Sequence, residues 1–324
     1  MRFPGHPDKV CDLVAESIVD EYLRRDPDAR LRVSVAGGRG ALFVSGDVRS
    51  SADFDVAALV RRVVGGAGVM AEMEPFVSLE PVGPEQAPLF AAGNELPVTV
   101  MGYATSETPE LVPEPLLLAR RIAKRLEDLR QSDESWFWLG ADGEVVVHDG
   151  GAEKGMTVFI QVEHGAKPIA DARKEISAVV ASLAPTFGVK VNELGPTEIR
   201  GLANVMGASG HDVASYGDLL PSVPRLVGSD THRAEKAGAW LARHAARGLV
   251  VKGSKAALVT ATYLPGEDLP ASLSARDERG KDLSSQLDQQ SFSLKRVMAE
   301  WWRPGLNADA VRWGFVGEAG LPWE

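Results

Sequence analysis

A recurring order of predicted elements places the strongest constraint on the fold of this chain. Helical periodicity over residues 10–25 is followed by two alternating apolar stretches and then by a second helical stretch over residues 53–64. The turn Gly37-Gly38-Arg39-Gly40 separates the two alternating stretches, and glycine-rich turns of this kind are typical of β-hairpins. The repeating unit is therefore predicted to be helix, hairpin, helix.

The same order returns twice, at intervals of roughly 110 residues. The second and third passes are predicted to have helices at residues 116–129, 169–183, 234–249 and 287–301, and strands near residues 144–148, 156–162, 256–263 and 271–275. Such a unit buries one sheet face beneath two helices. The sequence predicts an α+β fold of three sheet-plus-helices units related by pseudo-threefold symmetry.

Boundaries between these units follow from the same pattern. We expect an N-terminal unit, a central unit and a C-terminal unit, with elements free to interleave between them, over residues 1–97, 98–195 and 196–324. Residues 69–96 carry four prolines and no charge run, so they are predicted to be a surface loop. Residues 219–229 are predicted to be a second loop.

Composition excludes several classes of protein. No apolar run approaches the roughly 20 residues of a spanning helix, and the first residues lack the core of a signal peptide, so we expect no membrane partner and a cytoplasmic location. The net charge of -10 argues against a nucleic-acid partner, because binding to phosphate backbones depends on clustered Lys and Arg. A single cysteine, Cys11, provides no disulfide framework.

The start of the first helix carries a compact group of ionisable side chains, in the stretch Gly5-His6-Pro7-Asp8-Lys9. A proline at the first helical position suits a helix start, whose N–H groups and dipole favour phosphate. Taken alone, these five residues are explained better by an ordinary helix start than by a binding site. The charged residues 232–236, which open a later helix, have the same ordinary explanation.

Four stretches together change that interpretation. They are Gly5-His6-Pro7-Asp8-Lys9-Val10, Ser45-Gly46-Asp47-Val48-Arg49-Ser50, Met101-Gly102-Tyr103-Ala104-Thr105-Ser106-Glu107-Thr108-Pro109-Glu110 and Leu321-Pro322-Trp323-Glu324. In their order and spacing along nearly the whole chain, these stretches resemble motifs of S-adenosylmethionine synthetase, which is also called methionine adenosyltransferase. The chain is identified as a divergent member of that family. The resemblance implies three pseudo-threefold α+β domains and a homodimer with active sites between its subunits.

The resemblance also implies a reaction. Methionine sulfur displaces the whole triphosphate from C5′ of ATP, and the tripolyphosphate is then hydrolysed. Mg²⁺, lysines and an arginine neutralise the leaving group while a histidine assists the departing oxygen. On this resemblance His6 is the catalytic histidine, Asp8 is a metal-binding carboxylate and Lys9 is a catalytic cation.

Other positions depart from the family's pattern. The Arg-Lys pair that binds phosphate falls on His211 and Asp212, and another lysine falls on Glu144. The aromatic residue that packs on adenine falls on Thr197, and a substrate-binding acid falls on Val205. At least three cations are thus exchanged for neutral or acidic groups. Each charge-assisted phosphate contact contributes roughly 1.5 to 3 kcal/mol, so efficient handling of tripolyphosphate is not expected.

Further positions complete the predicted site. The catalytic set is His6, Lys9 and Arg233; the substrate-binding set is Asp47, Asn94, His211, Asp212, Ser229 and Asp230; the metal ligands are Asp8 and Glu235. In this set Ser229 replaces a lysine, and Arg233 and Glu235 stand for a lysine and the second metal-binding aspartate. Mg²⁺ is the expected cofactor. Ser34 stands where the family carries an acid associated with a monovalent cation, which argues against K⁺.

Three hypotheses about function follow. The chain is a relative acting on an adenosyl, nucleotide or S-adenosylmethionine-type substrate with little or no phosphate, a genuine methionine adenosyltransferase, or a non-catalytic homologue that acts as a partner subunit. The complete motif at residues 5–9 argues against loss of activity, and the lost cations argue against the ordinary reaction. Small molecules and a second copy of the chain are the expected partners.

Overall fold

Three β-sheets form the framework of the protein in a computed structural model, which describes residues 1–93, 96–151, 155–165, 167–196, 200–212 and 226–324. The α-helices longer than one turn are α1 (Pro7–Arg25), α2 (Val56–Gly66), α3 (Ala87–Ala91), α4 (Glu114–Ser132), α5 (Ile169–Leu183), α6 (Ala239–Val251) and α7 (Leu306–Arg312). Sheets and helices are mixed along the chain, so the predicted α+β class is confirmed.

The first sheet contains the predicted hairpin. Its strands are β1 (Arg30–Gly38), β2 (Ala41–Arg49), β3 (Glu74–Pro81) and the short β8 (Gly207–Ala208), in the order β3-β2-β1-β8. The turn between β1 and β2 places Arg39 at φ 55° and Gly40 at φ 91°. Two consecutive left-handed residues match the right-handed twist of an antiparallel pair, so the hairpin prediction is confirmed.

Strand β3 overturns the prediction of a loop over residues 69–96. It pairs in parallel with β2, and the helix α3 lies further along the same segment. The strand was not predicted because Pro75 and Pro81 lie within it and prolines are typical of loops. Proline cannot donate to a ladder but is tolerated on an edge strand, and β3 is the edge of its sheet.

The other two sheets have three strands each. One has the order β5-β6-β7, with strands β5 (Leu139–Asp149), β6 (Met156–His164) and β7 (Gly188–Val191). The other has the order β10-β9-β4, with strands β4 (Val98–Thr105), β9 (Ala256–Tyr263) and β10 (Ser272–Asp277). Strand β4 therefore pairs with a strand more than 150 residues later in the chain. The limits of the three predicted units stay a prediction.

Each sheet has its own hydrophobic core. Helices α1 and α2 cover the first sheet, α4 and α5 cover the sheet of β5 to β7, and α6 packs on β4 and β9. The predicted helix at residues 234–249 opens with a π-helical turn at Ala234–Gly238, and the one at residues 287–301 is broken into short pieces that end in a π-helical turn at Val297–Trp301.

The last residues of the chain pack on the body of the protein. The ring of Trp323 is stacked on Trp240 with centroids 4.1 Å apart, and its Nε1 donates to the carbonyl of Phe315. The carboxylate of Glu324 accepts two hydrogen bonds of 2.8 Å from the buried Arg243. No helix among the described residues is long and apolar enough to cross a membrane.

Helix α1 is the structural link between the first sheet and the later parts of the chain. It is buried on nearly all sides, and it carries a row of acids four residues apart at Asp8, Asp12, Glu16 and Asp20. Residues four apart lie on one helix face. Each acid accepts a backbone N–H from a distant segment, from Ala208, Gly210, Gly228 and Ala308 in that order. This row holds the segment around Ala208 and Gly210, the residue Gly228 and α7 against α1.

Candidate functional site

The start of α1 shows how the motif at residues 5–9 folds locally. Pro7 occupies the first turn, and His6 is the N-cap, with its Nδ1 accepting the N–H of Asp8 at 3.3 Å. A Cβ at Gly5 would lie 2.5 Å from the Cβ of Ala141, so only glycine fits there. The close approach fixes the helix start against β5.

Burial sets the protonation state of His6. Desolvation is the largest influence and lowers the pKa of the imidazole, whereas Asp142 and Asp8 oppose it. The ring is therefore neutral at pH 7. Because Nδ1 accepts a hydrogen bond, the proton of the neutral ring lies on Nε2. His6 is thus a neutral donor at the helix start.

Asp8 has partners for both of its carboxylate oxygens. Oδ2 accepts from Arg2 Nη1 at 2.8 Å, and Oδ1 accepts from the N–H of Ala208 at 3.0 Å. The imidazole Nδ1 of His211 lies 3.9 Å from Oδ1. These contacts place His211 next to the motif at residues 5–9.

Lys9 is neutralised within the protein. Its ammonium donates to the carbonyl of Val311 at 2.7 Å and forms an ion pair with Asp212. The side chain of Lys9 is only 3% exposed, so this pair is nearly dry. Arg2 also faces Asp212, at 3.7 Å, and faces Glu144 at 3.5 Å. Asp212 and Glu144 stand where the family resemblance expects lysines. Both acids therefore contact the cations Lys9 and Arg2 near the start of α1.

A cavity of about 440 Å³ opens beside this cluster, and we call it the His6 cavity. Its lining residues are Arg2, His6, Pro7, Asp8, Asp142, Arg200, Val205 and Met206. Sequence reasoning missed Arg2, Asp142 and Arg200. Arg200 Nε donates to Asp142 at 3.0 Å across 58 residues of chain, and no local pattern could have indicated that pair.

The remaining predicted site residues form a second cluster, near residues 229–235. Arg233 is fully buried, donates to Asp230 at 2.9 Å and to the carbonyl of Gly93, and lies 4.6 Å from the ring centroid of Phe90. Ser229 Oγ donates to Glu235 at 3.2 Å.

One more predicted residue, Asp47, lies on the strand that pairs with the neighbour of this cluster. Arg32 lies 3.9 Å from Glu235, and Asp47 is paired with Arg32 across β1 and β2, where it is exposed. Asn94 lies outside the described residues, as does Thr197.

The two clusters do not meet in one chain. Lys236, the neighbour of Glu235, pairs with Glu16 at 2.6 Å, and Glu16 lies eight residues along α1 from Asp8. At 1.5 Å per residue this is about 12 Å along the helix axis. Asp8 and Glu235 accordingly contact different residues, Arg2 and Ala208 for Asp8, and Ser229 and Arg32 for Glu235. In the described part of the chain, no three His, Cys, Asp or Glu residues are grouped so as to hold a metal ion.

The arrangement of sheets matches a known fold. The chain superposes on the structure of an unusual S-adenosylmethionine synthetase from Campylobacter jejuni with a TM-score of 0.85, over 100% of this chain and 95% of that one, at 20% sequence identity. The two proteins share a fold.

Sequence comparisons identify the family. The model of the S-adenosylmethionine synthetase N-terminal domain matches residues 3–78, and that of the central domain matches residues 91–190. The chain is 28% identical to the S-adenosylmethionine synthase of Deinococcus deserti over 99% of this chain and 94% of that protein. It is 30% identical to that of Petrotoga mobilis over 89% and 82% of the two. The chain belongs to the S-adenosylmethionine synthetase family, as its motifs predicted.

Proposed function

We propose that this protein is a divergent member of its family that acts on an adenosyl, nucleotide or S-adenosylmethionine-type substrate carrying little or no phosphate. The observation that supports this most directly is the ion pair between Lys9 and Asp212. A cation that would otherwise meet a phosphate oxygen already has a carboxylate partner, at a position where the family resemblance expects a phosphate-binding lysine.

The charges around Lys9 support the same conclusion. Arg2 and Lys9 already face carboxylates, because Asp8, Glu144 and Asp212 lie within 4 Å of them. A triphosphate entering this cluster would have to displace the carboxylates or remain close to them. Since like charges at such distances repel, the cluster disfavours a highly charged anion. It is compatible with a nucleoside or a sulfonium compound.

His6 supports retention of a chemical role. The neutral imidazole has a proton at Nε2 and borders the His6 cavity, so it can donate to an oxygen of a bound substrate. Such a donor suits a leaving group that gains negative charge. This feature favours an enzyme over a non-catalytic partner subunit. It also keeps ordinary methionine adenosyltransferase activity as the second candidate.

A homodimer would join the two clusters. We propose that the Asp8 cluster of one chain faces the Glu235 cluster of another, because within one chain they lie about two helical turns apart. The outer face of the first sheet offers a surface for such pairing. Phe43 and Phe76 are stacked there at 5.1 Å, and each is more than half exposed. Mg²⁺ binding by Asp8 and Glu235 would then require both chains.

A direct experiment separates the candidate functions. The purified protein is incubated with ATP, Mg²⁺ and methionine, and S-adenosylmethionine, tripolyphosphate and phosphate are followed. Thermal shifts are measured in parallel with adenosine, S-adenosylmethionine and tripolyphosphate. We expect little product, a shift with an adenosyl ligand and none with tripolyphosphate. Rapid formation of S-adenosylmethionine would refute the proposal in favour of ordinary adenosyltransferase activity. No shift with any small ligand would favour a partner subunit.

A residue test addresses the placement of the site. His6→Ala removes the Nε2 donor and should abolish any activity detected on an adenosyl substrate. The matched control is His148→Ala, since His148 is an exposed residue on β5. An activity that survives His6→Ala unchanged would show that the site lies elsewhere.

A further inference from the structure

A second cavity lies behind the wall of the His6 cavity. It has a volume of about 440 Å³, and we call it the Glu163 cavity. Its walls are the start of β5 and the end of β6, the segment Gly68, Val69, Met70 and Ala71, the side chain of Arg130, and residues 200–203. Asp142 and Arg200 border both cavities, so these two side chains form the partition between them.

Glycines shape the Glu163 cavity. A Cβ at Gly140 would lie 2.3 Å from Glu163 Oε2, and a Cβ at Gly68 would lie 2.9 Å from Arg130 Nη2. Gly201 has a φ of +73° and would place its Cβ 3.7 Å from the same Glu163 oxygen. A side chain at Gly140 or Gly201 would occupy the space next to the Glu163 carboxylate, and one at Gly68 would meet the guanidinium of Arg130. The carboxylate is thus kept accessible from the cavity.

Two buried polar atoms in the walls lack a hydrogen-bond partner among the described residues. They are the indole Nε1 of Trp138, whose residue is 3% exposed, and Oδ1 of Asp142, whose residue is 1% exposed. The other oxygen of Asp142 accepts from Arg200 and from the N–H of Gly201. Buried polar atoms are rarely left unsatisfied, so an occupant with both an acceptor and a donor fits this cavity.

The charge of the cavity determines the sign of that occupant. Arg130 is held by two hydrogen bonds from its guanidinium to Glu127, and Arg200 is paired with Asp142. Within the described chain Glu163 has no ion-pair partner, so one negative charge remains. Burial is the largest influence on Glu163 and raises the pKa of its carboxyl group, as does Asp142, whereas the N–H of Asp142 and the more distant charges of Arg200 and Arg130 oppose this rise. A bound cation would provide Glu163 with the ion-pair partner that it lacks in the described chain.

The rim of the cavity adds apolar contacts. Phe137 is 82% exposed and Met70 is 96% exposed, and both line the opening. We propose that the Glu163 cavity binds a protonated amine that carries an aromatic or apolar group and a hydrogen-bond acceptor. Its ammonium group donates to Glu163 and to Oδ1 of Asp142, and its acceptor receives the N–H of Trp138. Phe137 and Met70 cover its apolar part. This binding does not depend on the reaction proposed above, and the two cavities share only the wall formed by Asp142 and Arg200.

The experiment compares tyramine with tyrosol. The two compounds are alike except that tyramine carries an ammonium group where tyrosol carries a hydroxyl group. Binding to the full chain is measured by calorimetry or by ligand-observed NMR. We expect tyramine to bind roughly tenfold or more tightly than tyrosol, because an ion pair with a half-buried carboxylate discriminates by at least that factor. Equal affinities, or no binding of tyramine at millimolar concentration, would overturn the proposal.

Variants localise the binding. Glu163→Gln should weaken tyramine binding by roughly tenfold and leave tyrosol unchanged, whereas Glu267→Gln, at an exposed position, should change neither. If Glu163→Gln fails to fold, Trp138→Phe provides the second readout, since it removes the N–H and should weaken tyramine but not phenethylamine. Asp8→Asn tests the neighbouring cavity. Loss of tyramine binding in Asp8→Asn, with Glu163→Gln unaffected, would place the amine in the His6 cavity and refute our assignment.

Discussion

The ion pair between Asp212 and Lys9 leads to a prediction with two opposite effects. Asp212→Asn removes the carboxylate charge but keeps the shape of the side chain. Lys9 then keeps the hydrogen bond to the carbonyl of Val311, but a neutral amide takes the place of its carboxylate partner. Because Lys9 is 3% exposed, its charge becomes poorly compensated. The variant should be less stable than the wild type and should bind phosphate anions more tightly.

The magnitudes follow from burial. Removing one partner of a buried pair costs about 3–5 kcal/mol, and the 11% exposure of Asp212 places the expected loss at the lower end. A phosphate oxygen that takes the place of the carboxylate regains a charge-assisted hydrogen bond of about 1.5–3 kcal/mol. Binding of tripolyphosphate should therefore tighten by roughly 10- to 150-fold.

Two measurements check this prediction. Urea unfolding gives the loss of stability, and thermal shift with increasing tripolyphosphate gives the change in affinity. Asp309→Asn is a matched control, because Asp309 is half exposed and pairs with the half-exposed Arg303. That control should change stability by less than about 1 kcal/mol and leave anion binding unchanged. Tripolyphosphate binding that is no tighter in Asp212→Asn than in the wild type would refute our account of the site.

Three further predictions concern stability and assembly. Burial raises the pKa of Asp12 to about 7, above its value in the unfolded chain. The unfolded state therefore loses this proton first, and the free energy of unfolding falls as the pH rises from about 4 to 7. In urea unfolding, Asp12→Asn should remove about 4 kcal/mol of this fall, and a pH dependence identical to that of the wild type would contradict the prediction. Lys236→Met leaves the buried Glu16 without its cation and should cost about 3–5 kcal/mol by the same method, whereas a loss below 1 kcal/mol would show that the pair is dispensable. Phe43→Asp should shift the protein towards monomer in sedimentation velocity, and an unchanged distribution would exclude that sheet face as the interface.

The sequence predicted the fold class because its signals are local. Amphipathic periodicity at residues 10–25 and the turn Gly37–Gly40 depend on neighbouring residues alone, and both elements are present in the structure. The edge strand β3 was missed because Pro75 and Pro81 are usually read as loop residues, and only its pairing with β2 reveals the strand.

The features of the candidate site likewise fall into those that the sequence predicted and those that only the tertiary structure revealed. The motif at residues 5–9 determined the capped helix start by itself, and the family was indicated only by this motif together with the three other stretches that resemble it. Only the tertiary structure decided that Asp212 pairs with Lys9 across more than 200 residues, or that Glu163 stands without an ion-pair partner in the described chain. Hydrophobic periodicity records which face of an element is buried. It does not record which charged groups meet once distant elements pack, and those meetings determine which ligand the site can hold.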